Sequence, residues 1–252
     1  MPLSEFVPIA PLAGLSSAKD RLIVALDYPD AQDALALVDS LEDTVRWYKV
    51  GLELYLSGGN TVVQTLTRRG FSVFLDLKLH DIPNTVAGAV RAASHSGASL
   101  LTIHASGGPE MVEAAVNAAR AVEAAPRILA VTLLTSIDQR QLIVTGVSGT
   151  PAEQVERLAT MAIDAGADGL VCSAEESGAL RRLLGPEPLL VTPGIRPAGT
   201  AVGDQKRIAT PEAALRSGAS YLVVGRPITQ AANPKAAVES ILASMAAALP
   251  TN

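Results

Sequence analysis

The chain has 252 residues, 48% of them apolar and 18% charged, which is enough to bury one sizeable core and too apolar for a disordered segment. A formal net charge of −5 with 3% aromatic residues excludes a non-specific nucleic-acid binder, which needs a cationic surface. The single cysteine, Cys172, excludes an internal disulfide framework and fits a reducing cytosol.

Residues 1–20 hold Pro2, Pro8 and Pro11 and lack a basic stretch followed by an apolar one, so an irregular arm is expected there rather than a secretion signal. No apolar run reaches membrane-spanning length, so no membrane partner is expected. From residue 21 to 252 a single domain is expected. Short runs rich in Val, Ile and Leu fall at residues 21–27, 45–51, 71–78, 99–105, 127–135, 169–173, 188–192 and 221–225. Most are apolar almost throughout, as strands covered on both faces are. Between them lie Ala- and Leu-rich stretches of helical period, among them 30–41, 84–96, 110–124 and 153–165. Eight such alternations point to a parallel sheet. The count of eight argues for closure into a (β/α)8 TIM barrel, although an open doubly wound sheet alternates in the same way. Gly97, Gly166 and Gly218 each follow a helical stretch and precede a strand, where a glycine can terminate the helix in the left-handed conformation.

In such a barrel, function sits at the C-terminal ends of the strands. The first run ends at Asp27, which is as well placed to cap the helix starting near Asp30 as to line a site. The second delivers Lys49 followed by Gly51; a lysine there is either a site residue or one reaching back to solvent. The third holds Asp76 and Lys78, two apart and therefore on one face of a strand, with Leu75, Leu77 and Leu79 on the other. A structural salt bridge with Asp81 as a helix cap is the plain reading of this cluster. Two charges facing a barrel interior are nevertheless costly to desolvate, which favours a catalytic role. The fourth run ends at His104 and the fifth at Thr135 and Ser136, which offer polar groups to a ligand. The seventh and eighth run into Pro193-Gly194-Ile195-Arg196 and Gly225-Arg226-Pro227, glycine with arginine at the two loops that bind phosphate in this architecture. The stretch from Pro197 to Arg207, with Gly199, Gly203, Asp204 and Gln205, is long enough to form a lid. A metal site would have to draw on His80, His104 and the acids. The neighbouring lysines compete for those carboxylates, and no metal is expected. Cys172 reads as a small core residue rather than a nucleophile.

The run Asp76-x-Lys78-x-x-Asp81-Ile82-Pro83-Asn84-Thr85 resembles the signature of the orotidine 5′-phosphate decarboxylases. Leu26-Asp27, Tyr48-Lys49-Val50-Gly51, Leu133-Leu134-Thr135-Ser136, Pro193-Gly194-Ile195-Arg196, Gly203-Asp204-Gln205-Lys206-Arg207 and Val224-Gly225-Arg226-Pro227 follow in that family's order. The resemblance implies a cofactor-free, cytoplasmic homodimer acting on a small-molecule substrate, orotidine 5′-phosphate, with shared active sites. It implies Lys78 as proton donor to C6 of the pyrimidine and Asp76 against the departing carboxylate. Lys49 and Asp81 would complete a charged network, Asp81 coming from the partner subunit. It implies Asp27 and Lys49 on the ribose, with Thr85 helping across the interface. Thr135 would meet the ring edge, and Arg196, Gln205, Gly225 and Arg226 would hold the phosphate. A metal-dependent phosphosugar decarboxylase or epimerase on the same barrel is the alternative enzyme, and a non-catalytic binder of phosphate ligands the alternative outside enzymology.

Overall fold

The computed structural model describes residues 15–197 and 209–249. Eight parallel strands close into a barrel in chain order: β1 (Leu22–Ala25), β2 (Trp47–Gly51), β3 (Ser72–Leu79), β4 (Leu100–His104), β5 (Arg127–Val131), β6 (Gly169–Val171), β7 (Leu189–Thr192) and β8 (Tyr221–Val224), with β8 pairing back onto β1. Eleven helices are described, α1 (Ala18–Arg21), α2 (Ala31–Leu41), α3 (Leu52–Arg68), α4 (Pro83–Ser94), α5 (Pro109–Arg120), α6 (Gln139–Val144), α7 (Pro151–Asp164), α8 (Ala174–Leu184), α9 (Pro211–Arg216), α10 (Arg226–Thr229) and α11 (Pro234–Ala246). The fold is a single-domain (β/α)8 TIM barrel, so the open sheet is ruled out by the β1–β8 pairing.

Local chemistry explains the element ends. Asp30, Thr150 and Asn233 each accept a backbone N–H of the helix they precede, and proline opens α4, α5, α7, α9 and α11, where its missing N–H costs no helical bond. Asp30 therefore caps α2, which leaves Asp27 clear of that duty. Gly97, Gly166 and Gly218 all have φ between 82° and 99°, the left-handed turn that ends a helix before β4, β6 and β8.

The apolar residues divide into two layers. The larger lies between strands and helices and includes Leu75, Leu101, Ile103 and Leu170, all 0% exposed. Each such side chain stabilises the fold by about 2 kcal/mol on burial. The smaller fills the barrel with Ile23, Ala25, Phe74, Leu100, Leu129, Val191 and Val223. Trp47 meets Tyr221 edge-on at 5.1 Å between ring centroids within this inner layer. Most of the arm expected over residues 1–20 lies outside the described residues. Of the rest, Leu15 packs into the inner cluster, and Ser17 caps α1 in a reciprocal bond with Asp20. The inner layer is apolar only through the lower part of the barrel. Above it, at the C-terminal strand ends, the inward positions become charged.

Candidate active site

Lys49 lies two residues beyond Trp47 on β2, and Asp76 two beyond Phe74 on β3, so strand alternation turns both toward the barrel axis. The Lys49 ammonium sits 2.8 Å from Asp27 Oδ1 and 3.8 Å from Asp76 Oδ2, and the Lys78 ammonium sits 2.7 Å from Asp76 Oδ1. The result is an alternating row, Asp27–Lys49–Asp76–Lys78, across the mouth of the barrel. Lys49 and Asp76 are 11% and 13% exposed, whereas Lys78 at 30% and Asp27 at 57% are open to an incoming molecule.

Simple alternation does not account for Lys78. From Leu75 to Leu79, β3 advances four residues while β4 advances two, from Leu101 to Ile103. This bulge re-aims side chains at the strand end. Within it Lys78 adopts φ 51°, a left-handed conformation that costs a non-glycine residue about 1–2 kcal/mol. Strain of this kind persists where the surrounding structure over-determines it, and it concentrates at functional sites. Leu75, Leu77 and Leu79 pack outward against the helices, as alternation predicts. Gly51 leaves the Lys49 ammonium its place: a Cβ there would stand 2.8 Å from it, so the ammonium would have to shift.

Burial raises the Asp76 carboxyl pKa, but the ammonium groups of Lys49 and Lys78 and the bonds from Lys78 and Thr102 outweigh it and hold the carboxyl below its usual range. The His104 imidazole is shifted down, first by burial and then by His80 and Lys78, with Asp76 opposing. His104 stacks against His80 at 5.4 Å and does not line the cavity.

These charges form one wall of a cavity of about 260 Å³. Gly194, Arg196, Gly225 and Arg226, from the loops after β7 and β8, line the same cavity. Arg196 is only 7% exposed and donates to the Ile195 carbonyl at 2.9 Å. The backbone N–H of Arg196 donates to the Ala209 carbonyl, tying this loop to the chain just before α9. The floor is apolar, with Ala25, Phe74, Val131, Val171 and Val223, and Leu133, Leu134 and Thr135 stand at the rim. Cys172 also borders the cavity, but burial pushes its thiol up to about 12, which removes it as a nucleophile.

The cavity thus gathers Asp27, Lys49, Asp76, Lys78, Thr135, Arg196, Gly225 and Arg226 from the expected set. Asp81 and Thr85 do not reach it within the same chain. Both are exposed, and Asp81 Oδ1 accepts the neighbouring Ile82 N–H at 2.6 Å. Gln205 and the expected lid fall outside the described residues. Sequence reasoning missed Thr102 and Phe74. Thr102 was within reach of the period-two rule, because it lies two residues beyond inward-facing Leu100.

The geometry suits a ligand with an anionic end at the arginines, hydroxyls at Asp27 and Lys49, and a reacting atom near Lys78. Among the described residues, no three or more His, Cys, Asp or Glu side chains are grouped to hold a metal ion. The Lys49 ammonium lies between Asp27 and Asp76 and takes up the oxygens that a cation would need. No described helix is long and apolar enough to cross a membrane.

Comparison with known proteins shows the family. A sequence model of the "Orotidine 5′-phosphate decarboxylase / HUMPS family" matches residues 20–241. A Rhodopseudomonas palustris protein named orotidine 5′-phosphate decarboxylase is 54% identical over 230 residues, covering 91% of this chain and 95% of its own. An Alcanivorax borkumensis protein of the same name is 51% identical over 225 residues, covering 89% of this chain and 97% of its own. The crystal structure of orotidine 5′-phosphate decarboxylase from Lactobacillus acidophilus superposes with a TM-score of 0.80 at 41% identity, covering 89% of this chain and 98% of its own.

Proposed function

The chain belongs to the orotidine 5′-phosphate decarboxylase family, and from that premise we propose how its cavity converts orotidine 5′-phosphate to uridine 5′-phosphate and carbon dioxide in pyrimidine biosynthesis. The observation that carries the reading is that the Asp27–Lys49–Asp76–Lys78 row and two arginines line one cavity.

The phosphate binds Arg196, Arg226 and the backbone at Gly225, with Gln205 adding to it, and the ribose hydroxyls meet Asp27 and Lys49. The pyrimidine lies over the apolar floor with its edge at Thr135. The C6–carboxylate bond then breaks, carbon dioxide leaves, and the electron pair stays on C6 in the ring plane, where no π-system absorbs it. The Lys78 ammonium, held in place by Asp76 at 2.7 Å, stabilises that pair and then transfers its proton to C6. Solvent returns a proton to Lys78. Asp76 lies against the departing carboxylate. Because the ammonium is already oriented, little reorganisation accompanies the charge change. No cofactor enters these steps. Cytoplasmic placement is part of the same reading and fits the lone, reduced Cys172.

Asp81 and Thr85 complete the site from a second copy of the chain. Their exposure supports this, as do the exposed apolar side chains of Ile82, next to Asp81 in sequence, and of Leu52 and Leu56 in the first turns of α3. A homodimer with shared sites has a direct test. Mixing inactive Asp81→Ala and Lys78→Ala proteins regenerates about one native site per mixed dimer, up to roughly a quarter of wild-type activity at full exchange. Absence of recovery after subunit exchange has been confirmed would refute the shared site.

The reaction itself is read from the ultraviolet absorbance of orotidine 5′-phosphate with purified protein, with and without chelator. Chelator-insensitive formation of uridine 5′-phosphate is expected. No conversion by a folded, dimeric sample would transfer the reading to the metal-dependent phosphosugar enzymes.

A further inference from the structure

Lys78 and Asp76 carry the proposed chemistry, and the role inferred for Thr102 rests on that reading. The strand ladder alone does not hold the pair. The bulge between Leu75 and Leu79 interrupts regular pairing with β4 just where Lys78 turns to φ 51°. One side chain spans the interruption. Thr102, in the middle of β4 and 0% exposed, donates its hydroxyl proton to Asp76 Oδ1 at 3.0 Å and accepts the Lys78 backbone N–H at 2.8 Å. The same Asp76 oxygen receives the Lys78 ammonium at 2.7 Å. Backbone, hydroxyl, carboxylate and ammonium therefore close a ring around one residue's bend. A hydroxyl has one proton to give, and here it is committed to the carboxylate while its oxygen takes the N–H, so its orientation is fixed.

We propose that Thr102 is a positioning residue for the decarboxylation, its hydroxyl locking both the bend that aims the Lys78 ammonium and the rotamer of the Asp76 carboxylate. Thr102 does not line the cavity, so it acts only through those two residues. Apolar packing does not explain a threonine here. Valine has the same shape and would fill the site without a polar group, but it would leave the partly buried Lys78 N–H without this acceptor and remove a donor from a largely buried carboxylate. Thr102 is also one of the groups that hold the Asp76 carboxyl down, so its loss moves that carboxyl up.

The test is steady-state kinetics on orotidine 5′-phosphate for wild type, Thr102→Val, Thr102→Ser and Lys78→Ala, with thermal melts of each. Displacing a preorganised group by about 1 Å costs about 10²-fold, so Thr102→Val is expected to lower kcat roughly 10- to 100-fold. KM should stay within about threefold, because the phosphate and ribose contacts are untouched. Thr102→Ser keeps the hydroxyl and is expected to restore kcat to within about threefold of wild type. The acidic limb of the Thr102→Val pH profile should move to higher pH. A folded Thr102→Val protein with wild-type kcat overturns the proposal, and so does an equal loss in Thr102→Ser, which would show that a retained hydroxyl does not preserve the geometry. If Thr102→Val does not fold, Thr102→Ala against Thr102→Ser makes the same comparison. Full activity in the Thr102 variants beside a silent Lys78→Ala removes the positioning role and leaves the proton-donor reading standing. Activity in Lys78→Ala removes both.

Discussion

Lys78→Ala is expected to lower kcat by at least about 10⁴-fold, combining the loss of a proton donor with the loss of the charge that faces the forming carbanion. The protein should still fold. The side chain is 30% exposed, and its removal leaves Asp76 with Thr102 at 3.0 Å and Lys49 at 3.8 Å, so no carboxylate is stranded in the barrel. Uridine 5′-phosphate should still bind, because the phosphate and ribose contacts proposed for it are at Arg196, Arg226, Asp27 and Lys49 rather than at Lys78. Retention of a tenth of wild-type turnover would refute Lys78 as the donor. The same variant has a consequence for pH. Asp76 has a folded pKa below its ordinary value, so it stabilises the protein above the unfolded carboxylate range, and that contribution is lost as pH falls through the folded value. Lys78 is one cause of the depression. Removing it raises the folded value toward the ordinary one, so Lys78→Ala should gain less melting temperature than wild type between acidic and neutral pH.

The second large effect is expected at Arg226. Arg226 opens α10 directly after Gly225 and borders the cavity together with Arg196. Truncating one partner of a desolvated charge pair costs about 2–4 kcal/mol, so Arg226→Ala should weaken uridine 5′-phosphate binding by roughly 30- to 1,000-fold. Its effect on the free protein should stay within about 1 kcal/mol, because the side chain is half-buried at the end of a short helix rather than in the core. Calorimetry gives the affinity, and melts with and without nucleotide separate the two effects. The variant should lose most of the ligand-induced rise in melting temperature while the ligand-free melt is nearly unchanged. An equal loss in both melts would mean that Arg226 serves the fold rather than the phosphate.

Gly51 shows how closely this site depends on small spaces. The sequence offers only a glycine after a lysine-bearing strand. The structure gives its reason, since any Cβ would press on the Lys49 ammonium that bridges Asp27 and Asp76. Gly225 is similar: a Cβ there would lie 3.3 Å from Asp27 Oδ2. Gly225 thus makes room for a side chain from the neighbouring strand, a relation that a linear reading does not contain.

Periodicity and punctuation by themselves determined the eight strand positions, the alternation with helices and the glycine turns before β4, β6 and β8, because each depends on residues within a few positions of one another. They also determined which strand ends carry charge, because burying a charge is costly enough that an acid or lysine at an inward position stands out against Val, Ile and Leu. Closure of the barrel, the Asp27–Lys49–Asp76–Lys78 order and the failure of Asp81 and Thr85 to reach their own chain's cavity were decided only by the tertiary structure. Each depends on the register between strands or on which way a loop turns. The bend at Lys78 is the clearest case. Alternation along β3 places Asp76 and Lys78 on one face, but the actual geometry comes from a bulge that exists only against β4 and is bridged by Thr102, more than twenty residues further along the chain. A hydrogen bond between strands distant in sequence leaves no mark on the local pattern of either, and only the assembled barrel brings its donor and acceptor together.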